Sequence, residues 1–343
     1  MGNFKEDRPR GELVKLGYSK GGHQTAFRFQ FGFRQFVNGL YGLKPSQKAT
    51  EITMPNHVRV ADLVNPFLDI LQERADMPFE ASGPCSGLRD LDRILEYFRP
   101  GELAIIGGRP AMGKTSLTVN IAVHTAIEKG LPLTIFSETT HMQMMSRLMA
   151  TLGCLNLLRL SSGRLRNEEW PNVSAAIEKL RSAQICIVNM ADTTNLNFEA
   201  EVREIQRKSG PSSLVLIDSL QIDEQENRAP KDEAVTRRLK KIAVELQIPI
   251  IATTHLWSSV EARAVKRPTL SDLIAAESIE RDADIVMLVY REQYYKGGST
   301  DAVGTAEVFV ARNRNGGTAC VDLAFRQGVA RFENSPHQSS ERG

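Results

Sequence analysis

Gly108 to Thr115 reads G-R-P-A-M-G-K-T and fits the pattern G-x-x-x-x-G-K-[ST] at every fixed position. Gly108 and Gly113 allow the backbone to curl until its N–H groups converge, and the positive end of a following helix adds to their pull on an anion. Arg109, Pro110, Ala111 and Met112 complete the loop, and Ser116 follows it. In this chemistry Lys114 reaches the β- and γ-phosphates of ATP and the Thr115 hydroxyl faces Mg²⁺. The flanks agree: Leu103–Ile106 is a short apolar run suited to a buried parallel strand. Leu117, Asn120, Ile121 and His124 then follow at helical spacing. Strand, glycine loop and helix together define a nucleotide site.

A nucleoside triphosphatase needs more than a cradle. Leu214–Ile217 is an apolar run ending at Asp218, the way a buried strand delivers a carboxylate toward a metal's water shell. Asp218 and Thr115 are therefore the expected Mg²⁺ side of the site. Glu138 follows the apolar run Leu133–Phe136 and Ser137, which makes it the candidate for orienting the attacking water. Thr254 and His255 end another strand, where a polar side chain can sense the γ-phosphate. Ala311 to Gly317 reads A-R-N-R-N-G-G and suits a turn between two strands. Arginines held out there are badly placed for their own phosphate loop and well placed for a neighbour's. Arg314 is the expected arginine finger, which implies a ring or filament with shared sites.

The elements that must carry these groups alternate strand and helix. Strand-like runs are Leu133–Phe136, Ile185–Val188, Leu214–Ile217, Ile248–Ala252, Asp284–Val289 and Thr305–Val310. The clearest helix, Thr236 to Gln247, has Leu239, Ile242, Ala243 and Leu246 on its inner face. Arg237, Arg238, Lys240 and Lys241 lie on the other side, as a solvated face first and a polyanion contact second. This rhythm predicts an α/β fold, a mostly parallel sheet flanked by helices, with the ligand beyond the strands' carboxyl ends.

Ahead of it, residues 60–75 carry Leu63, Phe67, Ile70 and Leu71 on one helical face, with Pro66 expected to break or begin the helix. Such a helix must dock on the domain or on another subunit. Residues 1–55 are basic, with Phe27, Phe29, Phe31 and Phe33 at strict alternation and Arg28 and Arg34 beside them; a base-stacking strand and an edge strand or arm both fit. The expected organisation is an N-terminal segment (1–55), a linker with its helix (56–85), an ATPase domain (86–334) and a tail (335–343).

The totals constrain partners only loosely. Lys+Arg 43 against Asp+Glu 41 gives a net charge of +2, so bulk charge does not announce nucleic acid. No apolar run approaches a membrane span, and there is no signal-peptide core. Cys85, Cys154, Cys186 and Cys320 are scattered without metal-ligand spacing, which suggests reduced thiols in a cytoplasmic protein.

The chain resembles the C-terminal motor domain of bacterial replicative DNA helicases of the DnaB type, a RecA-like fold. The likeness runs from about Val60 to Asn334. It rests on S-G-L-R-D-L-D, the phosphate loop with its strand, Ser137-Glu138 before a helix containing Arg147, L-V-L-I-D-S-L-Q-I, the stretch from Ile250 to Tyr295, A-R-N-R-N-G and R-F-E-N. The resemblance implies a homo-hexameric ring with ATP between subunits, single-stranded DNA in its channel, and residues 60–75 docked on the adjacent protomer. It also raises a loader or primase as further partners.

Four departures stand out. Only a short, unlike segment precedes the linker, where the family has a helical domain that helps bind primase. Thr254-His255 replaces Ser-Gln, and Trp257-Ser258 replaces Asn-Arg. Ile274-Ala275-Ala276-Glu277 replaces Arg-Glu-Ser-Gly in a loop implicated in holding DNA. The last change removes a cation and adds an acid, both unfavourable beside a phosphate backbone. Arg263, Lys266 and Arg267 lie nearby as candidates to compensate. The expected function is therefore a Mg-ATP-driven helicase motor of phage, plasmid or mobile-element kind. An ATP-switched ring or loading partner that does not translocate is the first alternative, and a RadA- or KaiC-like ATPase the second.

Overall fold

In a computed structural model, the residues described are 59–76, 83–190, 198–220, 222, 234–296 and 304–335. The alternating phenylalanines at 27–33 lie outside them. The chain divides into two units, Met1–Phe67 and Leu68–Gly343. The helix Val60–Asp76 crosses that division and runs unbroken through Pro66. Proline there forgoes one backbone bond, and the helix continues regardless. Its apolar stripe, Val60, Leu63, Val64, Phe67, Ile70 and Leu71, is solvent-exposed in the single chain.

The second unit is built on one nine-stranded sheet. Its strands are β1 (Leu103–Gly107), β2 (Leu133–Ser137), β3 (Ile185–Asn189), β4 (Leu214–Asp218), β5 (Ile250–Thr254), β6 (Ile285–Tyr290), β7 (Thr305–Asn313), β8 (Ala319–Arg326) and β9 (Arg331–Asn334). Their order is β3-β2-β4-β5-β1-β6-β7-β8-β9. From β3 to β6 every pairing is parallel; from β6 onward every pairing is antiparallel. The inner strands β1, β2, β4, β5 and β6 are buried at every residue, as expected of strands covered by helices on both faces. The edge strand β3 is only half-buried throughout. One apolar layer on each face results. The helix Lys114–Val123 packs one side through Leu117 and Ile121, and the helix Val235–Leu246 packs the other through Leu239, Ile242 and Ala243.

Several boundaries shift from the sequence expectation, most clearly in β5 and β7. β5 begins at Ile250 rather than Ile248, because Pro249 has no N–H to give a ladder and constrains the residue before it. β7 runs on to Asn313, so Ala311, Arg312 and Asn313 belong to the strand and the turn starts at Arg314. A register shift opposite Val286 and Met287 leaves Ala311 without a direct partner, and Arg312 then pairs with Val286. The basic face of the helix Val235–Leu246 is also less solvated than expected. Lys240 turns inward, its Nζ 2.6 Å from Asp284 Oδ2, and Arg237 comes within 3.6 Å of Asp282.

Candidate functional site

Parallel register gathers the sequence-predicted groups at one end of the sheet. Gly107 at the end of β1 pairs with Thr254 at the end of β5, and Ser137 at the end of β2 pairs with Asp218 at the end of β4. The phosphate loop, Glu138, Asp218 and His255 therefore emerge side by side. Glu138 is exposed and starts a loop, and its N–H donates to the Asp218 carbonyl at 3.0 Å. Thr140 then caps the helix His141–Gly153, accepting from Gln143 N–H, so the turn after Glu138 is tightly specified.

The loop has the shape of an anion cradle. Ala111 stands at φ 64 and Gly113 at φ 102, left-handed residues on either side of Met112, the kind of backbone that makes an anion-binding concavity. Gly108 is needed for space as well: a Cβ there would meet Lys114 Cγ at 3.3 Å and the Val289 carbonyl at 3.2 Å. Lys114 Nζ lies 2.8 Å from Gly108 O and 3.4 Å from His255 Nδ1. Burial pulls the Lys114 pKa down to about 8, partly offset by Asp218, with Arg109 adding to the fall. Burial likewise lowers the His255 pKa, with Lys114 adding to the fall and the Glu138 carboxylate opposing it. Two hydroxyls converge on one carboxylate oxygen: Asp218 Oδ1 accepts from Thr115 Oγ1 at 3.2 Å and from Thr253 Oγ1 at 2.8 Å. Thr115 and Asp218 thus present hard oxygen atoms side by side, the donor type a Mg²⁺ ion takes. Among the described residues no group of three or more His, Cys, Asp or Glu is arranged to hold a metal.

Thr253 is a site residue that sequence reasoning missed. The pairing of β4 with β5 places it: Ala252 lies opposite Ile217, which sets Thr253 beside Asp218. Arg109 does not turn toward the cradle. Its Nε meets Glu261 Oε1 at 2.9 Å and its Nη1 donates to the Leu256 carbonyl at 2.8 Å, tying the loop to the segment after β5.

Arg314 lies at the other end of the sheet. Its N–H donates to the Asp284 carbonyl, just before β6, while the phosphate loop sits by the far end of that strand. A six-residue strand spans roughly 20 Å, well beyond an arginine's reach. The side chain is not held out as expected. Nη1 donates to Asp284 Oδ1 at 3.1 Å and Nη2 to the Arg281 carbonyl at 2.8 Å. Arg312 also folds back, its Nε donating to the Ala283 carbonyl at 3.1 Å.

The family model described as DnaB-like helicase C terminal domain matches residues 83–334. The chain belongs to this DnaB-like helicase family. It is 33% identical over 336 residues to a probable replicative DNA helicase of Trieres chinensis, covering 94% of this chain and 72% of that protein. It is 36% identical over 259 residues to the replicative DNA helicase DnaB of Buchnera aphidicola subsp. Acyrthosiphon pisum, covering 74% of this chain. The chain spans 56% of that Buchnera protein's length. Among solved structures, a separately solved ATPase domain superposes with a TM-score of 0.71 at 28% identity, covering 80% of this chain and 98% of that one. A DnaB-like replicative helicase studied for its interactions with primase gives 0.69 at 26% identity, covering 91% and 76%. The fold is therefore the α/β, RecA-like ATPase domain of DnaB-like helicases, and the class of chemistry is ATP-dependent helicase work, a hydrolase activity.

Set within that family, the departures acquire surroundings. His255 and Leu256 run antiparallel to Leu273 and Ile274: Leu256 bridges Leu273, and Ile274 N–H donates to the His255 carbonyl at 3.2 Å. Ala275 is fully buried at φ 59, whereas Ile274 is half-buried and Glu277 exposed. The three nearby cations are engaged elsewhere. Arg263 meets Asp272 at 2.7 Å, Arg267 grips Glu307 through Nε and Nη2 at 2.7 and 2.8 Å, and Lys266 lies 4.8 Å from the Tyr295 ring centroid. The four cysteines are free thiols, with Cys85 buried and Cys154 exposed. Among the described residues no helix is long and apolar enough to cross a membrane.

Proposed function

We propose that this chain is the motor of a ring-forming replicative helicase, hydrolysing Mg-ATP between subunits to move along single-stranded DNA and unwind duplex. The observation that carries it is the meeting of phosphate loop, Glu138, Asp218 and His255 at one end of a sheet, while Arg314 sits at the other. Lys114 and the loop's N–H groups hold the β- and γ-phosphates. Thr115 and Asp218 would hold Mg²⁺, partly through water, and the ion would supply positive charge beside the phosphates. Glu138 orients the attacking water, and His255 at the end of β5 senses the γ-phosphate. Thr253 and Thr115 fix the Asp218 carboxylate by donating to one oxygen, leaving Oδ2 for the metal's water shell.

Arg314 completes the site of the next subunit, leaving Asp284 for the neighbour's phosphates. The exposed stripe on Val60–Asp76 covers part of the adjacent subunit, which gives an otherwise wet apolar face a partner. A hexamer, a cytoplasmic setting and a loader or primase as further partners belong to this reading. So do the domain limits 56–85 for the linker and 86–334 for the motor. The experiment is ATP turnover with and without single-stranded DNA, together with unwinding of a forked duplex. Stimulated turnover with ATP-dependent unwinding supports a motor. Turnover indifferent to DNA, with no unwinding, favours the ATP-switched partner, a reading for which the occupied Arg263, Lys266 and Arg267 are the specific observation.

A further inference from the structure

The carbonyl of Ala111, within the phosphate loop, is received by a buried arginine. Arg291 follows the last residue of β6 and is only 6% exposed. Its Nη1 donates to Ala111 O at 3.1 Å and its Nη2 to Gln327 Oε1 at 3.1 Å. The guanidinium carbon lies 4.2 Å from the Phe325 ring centroid. Phe325 packs on Phe332 at 4.7 Å, and these rings fill the space behind Gly113, where an added Cβ would meet Phe332 at 3.0 Å. A planar cation therefore sits between an aromatic ring and the outer side of the phosphate loop, 180 residues from the carbonyl it binds.

The backbone explains why such a group is needed. Gly113 takes a left-handed conformation without a Cβ to clash, but Ala111 does so against the ordinary preference of an L residue. If residue 111 relaxes to the right-handed region, its carbonyl swings and the N–H groups of the loop no longer converge. We propose that Arg291 is a positioning residue of the nucleotide site. It holds the carbonyl of Ala111 outward, so the cradle already has its phosphate-receiving shape before nucleotide arrives. Arg291 acts through the loop, and Gln327 and Phe325 fix it from behind. Lysine is a poor replacement, because it has neither the second arm for Gln327 nor the flat face for Phe325. This proposal rests on the reading of Gly108–Thr115 as a nucleotide site.

The test uses the full chain and a fluorescent ATP analogue, with KM and kcat measured alongside Kd. Arg291→Met is expected to raise Kd and KM about tenfold, the scale of a left-handed penalty at one alanine, while kcat at saturation changes much less. Arg291→Lys should fall between parent and Arg291→Met. The decisive variant adds Ala111→Gly to Arg291→Met: glycine holds the left-handed conformation unaided, so most of the lost affinity should return. A role confined to packing would not be repaired from residue 111. Should Arg291→Met fail to fold, Gln327→Ala keeps the guanidinium, frees one arm, and should raise Kd about threefold. A folded Arg291→Met protein binding as tightly as the parent overturns the proposal, as does a loss that Ala111→Gly leaves untouched. Parent protein that binds no nucleotide at all overturns the reading of the loop itself, a distinguishable result.

Discussion

Lys114 Nζ lies 3.4 Å from His255 Nδ1, so one pocket holds a lysine that must stay charged and a histidine that burial keeps neutral. With its pKa pulled down to about 8, free Lys114 begins to lose its proton just above physiological pH. Phosphates favour the charged form, so ATP binding at pH 8.5 should take up a proton. Calorimetric titrations in two buffers of different ionisation enthalpy measure that uptake, and affinity should fall steadily from pH 8 to 10. The stability linkage has the opposite slope. Between the folded value near 8 and the unfolded value of 10.5, the unfolded chain binds more protons, so the nucleotide-free protein gains stability as pH rises through that window. Lys114→Met should therefore abolish binding while stabilising the empty protein at pH 7, by on the order of 3 kcal/mol. A pH-independent affinity across this range would remove the assignment of Lys114 as the phosphate cation.

In the proposed mechanism Glu138 orients water rather than holding nucleotide. It is exposed, begins the loop after β2, and its backbone is pinned to Asp218 O. Glu138→Gln should bind ATP about as tightly as the parent and lower single-turnover hydrolysis by roughly 10²–10⁴-fold. Normal turnover in this variant would mean that another group orients the water.

How much of this was legible in the sequence depends on how local each feature is. That the phosphate loop, Asp218 and Glu138 stand at strand ends could be read because each follows a short apolar run, and a parallel sheet brings strand ends to one side whatever their order. Strand order itself was not legible, because nothing in Leu214–Asp218 names Ile250–Thr254 as its neighbour. Thr253 and Arg291 were missed for the same kind of reason. A threonine in a β-branched strand looks like an ordinary strand residue, and an arginine bound to a backbone carbonyl leaves no complementary residue type to find. Arg314 was read onto its turn correctly, but its fold back onto Asp284 depends on a buried carboxylate thirty positions away. The 274–277 loop was legible as a change of chemistry, while the burial of Ala275 was not.

Arg314 gives the test of a shared site. Arg314→Ala should lose turnover by about 10³–10⁵-fold, the usual contribution of an arginine finger. Lys114→Ala should be inactive too, for want of a phosphate cation. Mixing the two variants should restore part of the activity, because an intact loop on one subunit then faces an intact arginine on another. Native mass spectrometry verifies that the two co-assemble. Co-assembled but inactive mixtures would argue that Arg314 serves only its own Asp284.

The loop at 274–277 decides between motor and switch, and its surroundings determine how it should be probed. Transplanting all of Arg-Glu-Ser-Gly would place a carboxylate at position 275, which is fully buried and left-handed. Burying an unpaired charge there would damage the fold and confuse the result. Ile274 and Glu277 are the better positions, half-buried and exposed respectively. Ile274→Arg with Glu277→Gly adds a cation and removes an acid without disturbing Ala275. On single strands each new phosphate contact steepens the log–log salt dependence of affinity by about 0.7. The parent should show a shallow slope, since Arg263 and Arg267 are paired with Asp272 and Glu307. The double variant should bind strands more tightly at low salt, lose that gain as salt rises, and unwind a forked duplex faster. If affinity and slope are unchanged in the variant, the loop does not touch DNA. If the parent neither binds strands nor unwinds at any salt, and the variant acquires both, the natural protein is the ATP-switched partner and the missing cation is the reason.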